Sequence, residues 1–156
     1  MEENILWDIR AFVYQHLAET THPPTVDETA SRFALTHEQA ASVYDALHQR
    51  HAFFLQPETH NILMANPFSG VETPFKVHAN GKTYFANCAW DSLGIPAALH
   101  VDAQIDALCS QSGENIHLMV SRGEAHTEQS RSVQHEAGLV HFLVPFRNWY
   151  DDLPFT

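Results

Sequence analysis

The sequence predicts an α+β protein, in which a helical N-terminal unit precedes a mixed or antiparallel sheet that carries one further helix. Three observations indicate this class. Apolar residues at helical spacing, together with two capping-box patterns, fill the first third of the chain. Alternation of apolar and polar residues, which is typical of half-buried strands, follows residue 100. An Asn-Gly pair between these parts indicates a tight hairpin.

Three helices are predicted in the N-terminal part. Residues 4–19 place apolar side chains at helical spacing, and a proline pair follows them and ends the helix. Thr25 with Glu28, and Thr36 with Gln39, have the spacing of capping boxes. A second and a third helix are therefore expected to begin directly after these two threonines.

The sequence predicts two structural units, and the three helices belong to the first of them. Apolar runs at 52–55 and 62–65 predict a hairpin after the third helix. Because three helices and a hairpin resemble a winged helix, residues 1–65 are expected to form a winged-helix-like unit. Residues 66–74, rich in Pro and Gly, are expected to form a linker, and residues 75–156 the second unit.

The second unit is predicted to hold the sheet and one helix. Asn87 is a favourable N-cap residue, so a helix is predicted to begin at Cys88 and to be interrupted or ended by Gly94 and Pro96. The remaining elements are predicted in chain order: strands at 101–109 and 116–120, a polar loop at 121–134, a strand at 139–144 and a helical turn at 146–150.

The charge balance is acidic, with 19 Asp and Glu against 8 Lys and Arg and a formal net charge of -11. This charge repels nucleic-acid phosphates and anionic membranes, so nucleic-acid binding is disfavoured. The N-terminus lacks a signal-peptide pattern, and no apolar stretch reaches membrane-spanning length. With only two cysteines, no disulfide scaffold is expected. The composition favours a cytoplasmic protein with reduced thiols and no membrane partner.

Cys88 and Asp91 are the candidate reactive pair. A cysteine in the first turn of a helix lies at its positive end, so the thiol pKa is expected to fall. Asp91, three residues later, shares the helix face of Cys88. A nucleophilic sulfur beside a proton-carrying carboxyl group suits chemistry that joins thiolate attack to proton delivery. A buried structural cysteine and an aspartate that only complements the helix dipole would show the same spacing.

The twelve histidines add few candidates. No Cys-x-x-Cys pair and no His-Glu-x-x-His helix is present, so structural zinc and zincin chemistry have little support. His100, just past the predicted site helix, is the histidine expected nearest to the pocket. His48 and His51 are expected at a solvated helix end, and His141 on the surface of a strand.

The stretch from Tyr84 to Leu99, Tyr-Phe-Ala-Asn-Cys-Ala-Trp-Asp-Ser-Leu-Gly-Ile-Pro-Ala-Ala-Leu, resembles the active-site segment of organomercurial (alkylmercury) lyases. The hallmark of that family is a Cys followed three residues later by an Asp, and then an Ile/Phe-Pro-Ala step. The family also has an N-terminal helical region and a strand with another, structural cysteine, to which Cys109 is similar.

The resemblance implies protonolysis of carbon–mercury bonds, with Cys88 as nucleophile and mercury ligand and Asp91 as proton relay and second ligand. It implies a small organomercurial as substrate, no required cofactor, and Hg(II) as a bound product that small thiols or a mercuric reductase accept. The second catalytic cysteine of the family would follow Thr156, where the sequence ends. Three explanations stay open: a cut reading frame, a short relative without lyase activity, or a pair that works with an external thiol or a histidine.

Two further interpretations stay open beside the lyase. A soft-metal (Hg/Cu) binding or sensing module on the same fold would hold the ion without breaking a bond. A winged-helix transcription factor is disfavoured by the acidic charge and by a second capped helix without a basic patch. An unpaired edge on the last strand would favour a homodimer.

Overall fold

The computed structural model describes residues 3–109, 111–127, 140, 142 and 144–149. These residues form four α-helices and two antiparallel sheets, so the predicted α+β class is confirmed. Among the helices in these ranges, none combines the length and apolarity needed to span a membrane.

The three N-terminal helices, α1 (Glu3–Thr20), α2 (Val26–Phe33) and α3 (His37–Gln49), form where they were predicted. Both capping boxes are present. Each N-cap threonine hydroxyl accepts the backbone N–H of the residue three positions later, and the side chain of that residue accepts the backbone N–H of the threonine. Thr29 Oγ1 and Tyr44 Oη, 2.8 Å apart, join α2 to α3 in the interior. This mutual hydrogen bond allows two hydroxyl groups to be buried at low cost.

A small three-stranded sheet follows, in the order β1 (Phe54–Leu55), β2 (Ile62–Ala65) and β3 (Phe68–Ser69). The predicted hairpin is confirmed, but β3 lies inside the segment 66–74 that was predicted as a linker. A Cβ at Gly70 would lie 2.1 Å from the carbonyl oxygen of the first residue of β2, so only glycine permits this approach. Classification of the helices and this sheet as a winged helix stays a prediction.

The strands of the larger sheet are β4 (Lys76–Ala79), β5 (Lys82–Phe85), β6 (Ala103–Leu108), β7 (Asn115–Ser121) and β8 (Glu124–Thr127). They lie in the order β5-β4-β6-β7-β8, and every neighbouring pair is antiparallel. Asn80 and Gly81 join β4 to β5 with φ of 51° and 73°, the left-handed pair that a tight hairpin requires. A fourth helix, α4 (Ala89–Leu99), connects β5 to β6.

Strand β8 corrects the prediction of a polar loop at 121–134. Arg122 and Gly123 have φ of 51° and 81°, and they form a second two-residue turn that pairs Ser121 with Glu124. Arginine is not among the residues that favour a left-handed φ, so the sequence carries no strong turn signal at this point.

The C-terminal predictions are only partly covered by the described residues. In the segment 139–144, which was predicted as a strand, residues 140, 142 and 144 are described and belong to no strand. The other residues of the segment, including His141, lie outside the described residues. The predicted helical turn at 146–150 is present as a 3₁₀ turn at Phe146–Asn148.

One cluster of buried apolar side chains joins the helices to the larger sheet. On the inner face of that sheet, Val77 and Ile105 are fully buried, and α4 packs against their two strands. Tyr84 on β5 is also buried, and its hydroxyl donates to the carbonyl of Ala18 at 2.7 Å. The sheet thereby holds α1 and α4 on the same face, which positions the N-terminal end of α4.

The outer face of the larger sheet carries a hydrogen-bonded row of polar side chains across four strands. His117 Nδ1 lies 2.6 Å from Asp106 Oδ1, and His78 Nε2 lies 3.0 Å from Asp106 Oδ2. His78 Nδ1 also lies 2.9 Å from Thr83 Oγ1. The hydrogen bond from His117, followed by that from His78, lowers the pKa of the Asp106 carboxyl group.

Replacing Asp106 with asparagine should reduce the free energy of unfolding more near pH 6 than near pH 3. Because the folded-state pKa is lowered, the stabilisation is present above the unfolded pKa of about 3.9 and is lost as the pH falls through the folded value. The side chain is 33% exposed, and for a pair this exposed we expect no more than about 1 kcal/mol. Urea unfolding at both pH values measures the difference, and an equal loss at both would contradict the role of the charge.

Candidate active site

Cys88 is the N-cap residue of α4, with an extended backbone at φ -154° and ψ 180°. Its sulfur accepts the backbone N–H of Asp91, at a nitrogen–sulfur distance of 3.5 Å. The predicted helix start at Cys88, with Asn87 as the cap, is therefore wrong by one residue. The sulfur itself accepts a hydrogen bond from one of the backbone N–H groups that have no partner within the helix in its first turn. The sulfur and the backbone of Asp91 are thus in direct contact.

Helix α4 runs through Gly94 and Pro96, so the predicted interruption is wrong. A Cβ at Gly94 would lie 2.9 Å from the Cβ of Pro67, which shows that the glycine permits close packing instead of ending the helix. The helix ends at His100, which has φ 56° and donates its backbone N–H to the Pro96 carbonyl. This left-handed residue is the actual stop signal.

The structure places His100 away from the candidate pair. It lies at the opposite end of α4, about 18 Å from Cys88 along the helix axis. Its Nδ1 lies 2.8 Å from the carbonyl oxygen of Ala97, and its side chain is exposed. His100 is therefore part of a helix terminus and does not join the candidate pair.

The second cysteine, Cys109, lies in the turn that follows β6. The Ser112 hydroxyl group, followed by backbone N–H groups of this turn, binds the sulfur and lowers the pKa of the Cys109 thiol. Phe85 of β5 and Asp106 of β6 both pair with Lys76, from opposite sides. The strands that lead to the two cysteines are thus two spacings, about 10 Å, apart. The Cys109 sulfur is bound within the turn after β6, whereas Cys88 caps α4 and contacts Asp91.

Burial dominates the ionisation of Cys88. The thiol is half-buried, and this burial raises its pKa. The Asp91 backbone N–H acts in the opposite direction, while the nearby charge of Asp91 adds to the increase. The prediction of a lowered thiol pKa is therefore wrong, because loss of hydration outweighs the helix N-terminus. At rest, the sulfur holds its proton.

Burial also raises the pKa of Asp91, whereas hydrogen bonds from Asn87 and then from the Cys88 thiol lower it. The thiol is therefore a donor to the carboxylate. The negative charge of Asp91 raises the pKa of the thiol, whereas the hydrogen bond from the thiol lowers the pKa of Asp91. The carboxyl group is therefore the member of the pair that carries the charge, and the thiol is the one that carries the transferable proton. This arrangement can move a proton between sulfur and oxygen.

Asn87 is a site residue that the sequence analysis assigned only to capping. Its Nδ2 donates to Asp91 Oδ2 at 2.9 Å and to Asn66 Oδ1 at 3.0 Å, and it also faces the carbonyl oxygens of Pro67 and Phe68. Hydrogen-bond acceptors surround this nitrogen, and only the NH₂ group of the side-chain amide can donate to them. The orientation of the amide is therefore determined. Its Oδ1 is buried without a hydrogen-bond partner among the described residues. Asn87 thus fixes the position of the Asp91 carboxyl group against the turn before β3.

Replacing Asn87 with leucine should raise the pKa of Asp91 further, because the hydrogen bond that opposes the effect of burial is lost. The side-chain carboxyl shift of Asp91, followed by carbon NMR against pH, measures this change. Asn66→Ala is the matched control, since it removes the partner in the turn but leaves the contact with Asp91. An unchanged titration in Asn87→Leu, or the same shift in Asn66→Ala, would contradict the assignment.

Tyr14 of helix α1 is affected by the charge of Asp91. Burial raises the pKa of the Tyr14 hydroxyl group, Arg10 opposes this increase, and the negative charge of Asp91 adds a smaller one. The Arg10 guanidinium lies 4.6 Å from the centroid of the Tyr14 ring. Asp91 is thus within electrostatic reach of Tyr14. The spacing of apolar residues predicted α1, but no sequence pattern indicated that Tyr14 and Asp91 interact.

The described residues contain no group of three or more His, Cys, Asp or Glu side chains arranged to hold a metal ion. Within those residues the candidate site is the pair of Cys88 and Asp91, with Asn87 behind the carboxyl group. Such a pair can bind a soft electrophile through sulfur and deliver a proton through oxygen.

Comparison with known proteins identifies a related family and a related solved structure. The sequence profile of the alkylmercury lyase family matches residues 68–152, which include the pair. Among solved structures, the chain is similar to the mercury-bound form of MerB2, with a TM-score of 0.64 and 23% identity. That alignment covers 81% of this chain and 60% of the solved one, so this chain spans three fifths of the length of its relative. No curated protein matches the sequence.

Proposed function

This chain belongs to the alkylmercury lyase family, and on that premise we propose that it is an organomercurial lyase that cleaves carbon–mercury bonds by protonolysis. The observation that carries the proposal is the contact of Cys88 with Asp91 at the start of α4. The soft sulfur suits mercury, and the neighbouring carboxyl group can hold the proton that the leaving carbon requires.

Capture of the substrate is the first proposed step. The Cys88 thiol passes its proton to Asp91, and the resulting thiolate forms a sulfur–mercury bond to R–Hg(II) as the previous mercury ligand leaves. This step needs the two groups in contact, because burial makes a free thiolate costly. The product is Cys88–S–Hg–R beside a protonated Asp91.

Protonolysis is the second proposed step. A small thiolate from solution binds mercury, the Asp91 proton moves to the carbon, and the electron pair of the carbon–mercury bond forms the new carbon–hydrogen bond. The hydrocarbon R–H leaves, Asp91 becomes a carboxylate that can contact the metal, and mercury stays Hg(II). An external thiol takes this role because Cys109 is bound within its own turn.

Release of the metal completes the proposed cycle. Hg(II) on Cys88 passes to small thiols or to a mercuric reductase, and no resident cofactor takes part. A cytoplasmic location, where small thiols are abundant and cysteines stay reduced, fits this requirement. The acidic charge of the chain agrees with a small-molecule substrate and with the absence of nucleic acid as a partner.

The test is benzene release from phenylmercury in the presence of excess small thiol, followed by gas chromatography of the headspace. We expect more than one benzene per chain. Release of less than one benzene per chain would overturn the proposal. If one mercury per chain then stays bound through Cys88, the alternative of a soft-metal (Hg/Cu) binding module is supported. The observation that favours this alternative is that the Cys109 sulfur is held by hydrogen bonds within its own turn, whereas the Cys88 sulfur contacts Asp91.

A further inference from the structure

The side-chain amide of Asn87 faces more hydrogen-bond acceptors than it has protons to donate. Its nitrogen lies 2.9 Å from Asp91 Oδ2, 3.0 Å from Asn66 Oδ1, and 3.3 and 3.4 Å from the carbonyl oxygens of Phe68 and Pro67. An NH₂ group carries two N–H bonds, and the two shortest of these distances lead to side-chain oxygens. The amide therefore joins the carboxyl group on α4 to the turn before β3.

This amide has one permitted orientation. A half-turn about its Cβ–Cγ bond would exchange Nδ2 with Oδ1 and place an oxygen against four other oxygens. In the observed orientation, Oδ1 is buried and has no hydrogen-bond partner among the residues that the structure describes. A buried polar atom without a partner reduces stability, so the contacts of Nδ2 must outweigh that loss. Asn87 therefore donates to Asp91 and does not accept from it.

Close packing holds the donor and the carboxyl group together. Asn87 directly precedes Cys88, the N-cap of α4, and Asp91 is the third residue of the same helix. A Cβ at Gly94 would lie 2.9 Å from the Cβ of Pro67, so only glycine allows α4 to pack this closely on the turn that Asn87 also contacts. The hydrogen bond from Asn87 to Asp91 thus lies between two elements in contact.

The contact makes the two carboxyl oxygens of Asp91 unequal. In a protonated carboxyl group, the carbonyl oxygen is a better hydrogen-bond acceptor than the hydroxyl oxygen. An N–H that always points at Oδ2 favours Oδ2 as the carbonyl oxygen, so the proton is placed on Oδ1. The thiol of Cys88 is the other donor to this carboxyl group, and it is the source of the proton in the first proposed step.

We propose that Asn87 is a positioning residue for protonolysis and that it makes Oδ1 the reacting oxygen of Asp91. This inference rests on the proposed function and names the atom through which the proton passes. During capture, the S–H bond of Cys88 breaks and an O–H bond forms at Oδ1, while sulfur bonds to mercury. During protonolysis, that O–H bond breaks and the electron pair of the carbon–mercury bond takes the proton. Oδ2 stays hydrogen-bonded to Asn87 in both steps.

The first measurement is infrared difference spectroscopy of the full chain before and after loading with phenylmercury, without small thiol. Loading should produce the C=O stretch of a protonated carboxyl group, and Asp91→Asn should lack this band. In Asn87→Leu and Asn87→Ala the carbonyl oxygen loses its hydrogen bond, so the band should move to higher wavenumber. Asn66→Ala is the matched control for the spectrum, because it keeps the contact between Asn87 and Asp91, and its band should coincide with that of the parent.

The second measurement separates positioning from binding. After loading, small thiol is added and benzene release is followed through a single turnover. Asn87→Leu and Asn87→Ala should each bind one phenylmercury per chain, as the parent does. Both should release benzene about 10²-fold more slowly, since a displaced reacting group typically costs about this factor in rate.

The outcomes separate this inference from the lyase proposal. An unshifted band in both Asn87 variants, or no carboxyl band in the loaded parent, overturns the inference, while benzene release by the parent continues to support the lyase. A shifted band without benzene release from the parent supports the assignment of Oδ1 and overturns the lyase. A shifted band with a benzene rate equal to that of the parent overturns the positioning role. Loss of phenylmercury binding in both Asn87 variants would show that Asn87 maintains the fold, and it would also overturn the inference.

Discussion

Replacing Cys88 with serine should abolish both mercury capture and benzene release, with a loss of about 10³-fold or more in the rate of protonolysis. The serine oxygen is a hard ligand and does not compete with small thiols for Hg(II). The hydroxyl group also has no acidic proton to pass to Asp91. Because binding and chemistry start from the same atom, both should disappear together.

The matched control is Cys109→Ser, which removes the other thiol of the chain. Its sulfur is bound within the turn after β6, so this variant should keep both capture and release. Mercury per chain after gel filtration and benzene in the headspace measure the two effects separately. Equal losses in both cysteine variants would show that the thiols act together and would contradict the single-thiol site.

Replacing Asp91 with asparagine should separate binding from chemistry. The variant keeps the sulfur and the backbone N–H that caps it, so phenylmercury should still bind to Cys88. The amide cannot carry the transferred proton, and loss of such a general acid typically reduces the rate by about 10²- to 10⁴-fold. Single-turnover benzene release at full mercury occupancy measures this loss. A rate equal to that of the parent would assign proton delivery to solvent or to the external thiol.

The N-terminal helices and the first hairpin of the larger sheet were predictable because local chemistry determines them. Thr25 and Thr36 each cap a helix through contacts within four residues, and Asn80-Gly81 adopts the left-handed turn that its side chains favour. The turn at Arg122 is determined by pairing of the strands instead, so the sequence pattern did not indicate β8.

The contact between Cys88 and Asp91 was predictable, but its electrostatics were not. The spacing of Cys88 and Asp91 brings them together on any helix that starts there. The direction of the thiol pKa depends on how much of the sulfur is buried beneath other elements, and this is a tertiary property. Gly94 shows the same limit, since its role is contact with Pro67, 27 positions earlier in the chain.

Asn87 and Trp90 show which part of the site escapes sequence patterns. Local spacing made Asn87 a helix cap, whereas its side chain donates to Asp91 and to a turn that is distant in sequence. Trp90, the second residue of α4, is 56% exposed, and no sequence pattern indicated this exposure. Both assignments require the position of neighbouring elements.

The most direct test of the central claim is the intact mass of the chain after one equivalent of phenylmercury in the presence of small thiol. If Cys88 and Asp91 perform protonolysis, the adduct on Cys88 will contain mercury, alone or with one small thiol, and no phenyl group. Asp91→Asn should retain the phenyl group under the same conditions. A parent adduct that keeps its phenyl group as long as the Asp91→Asn variant does would contradict the account.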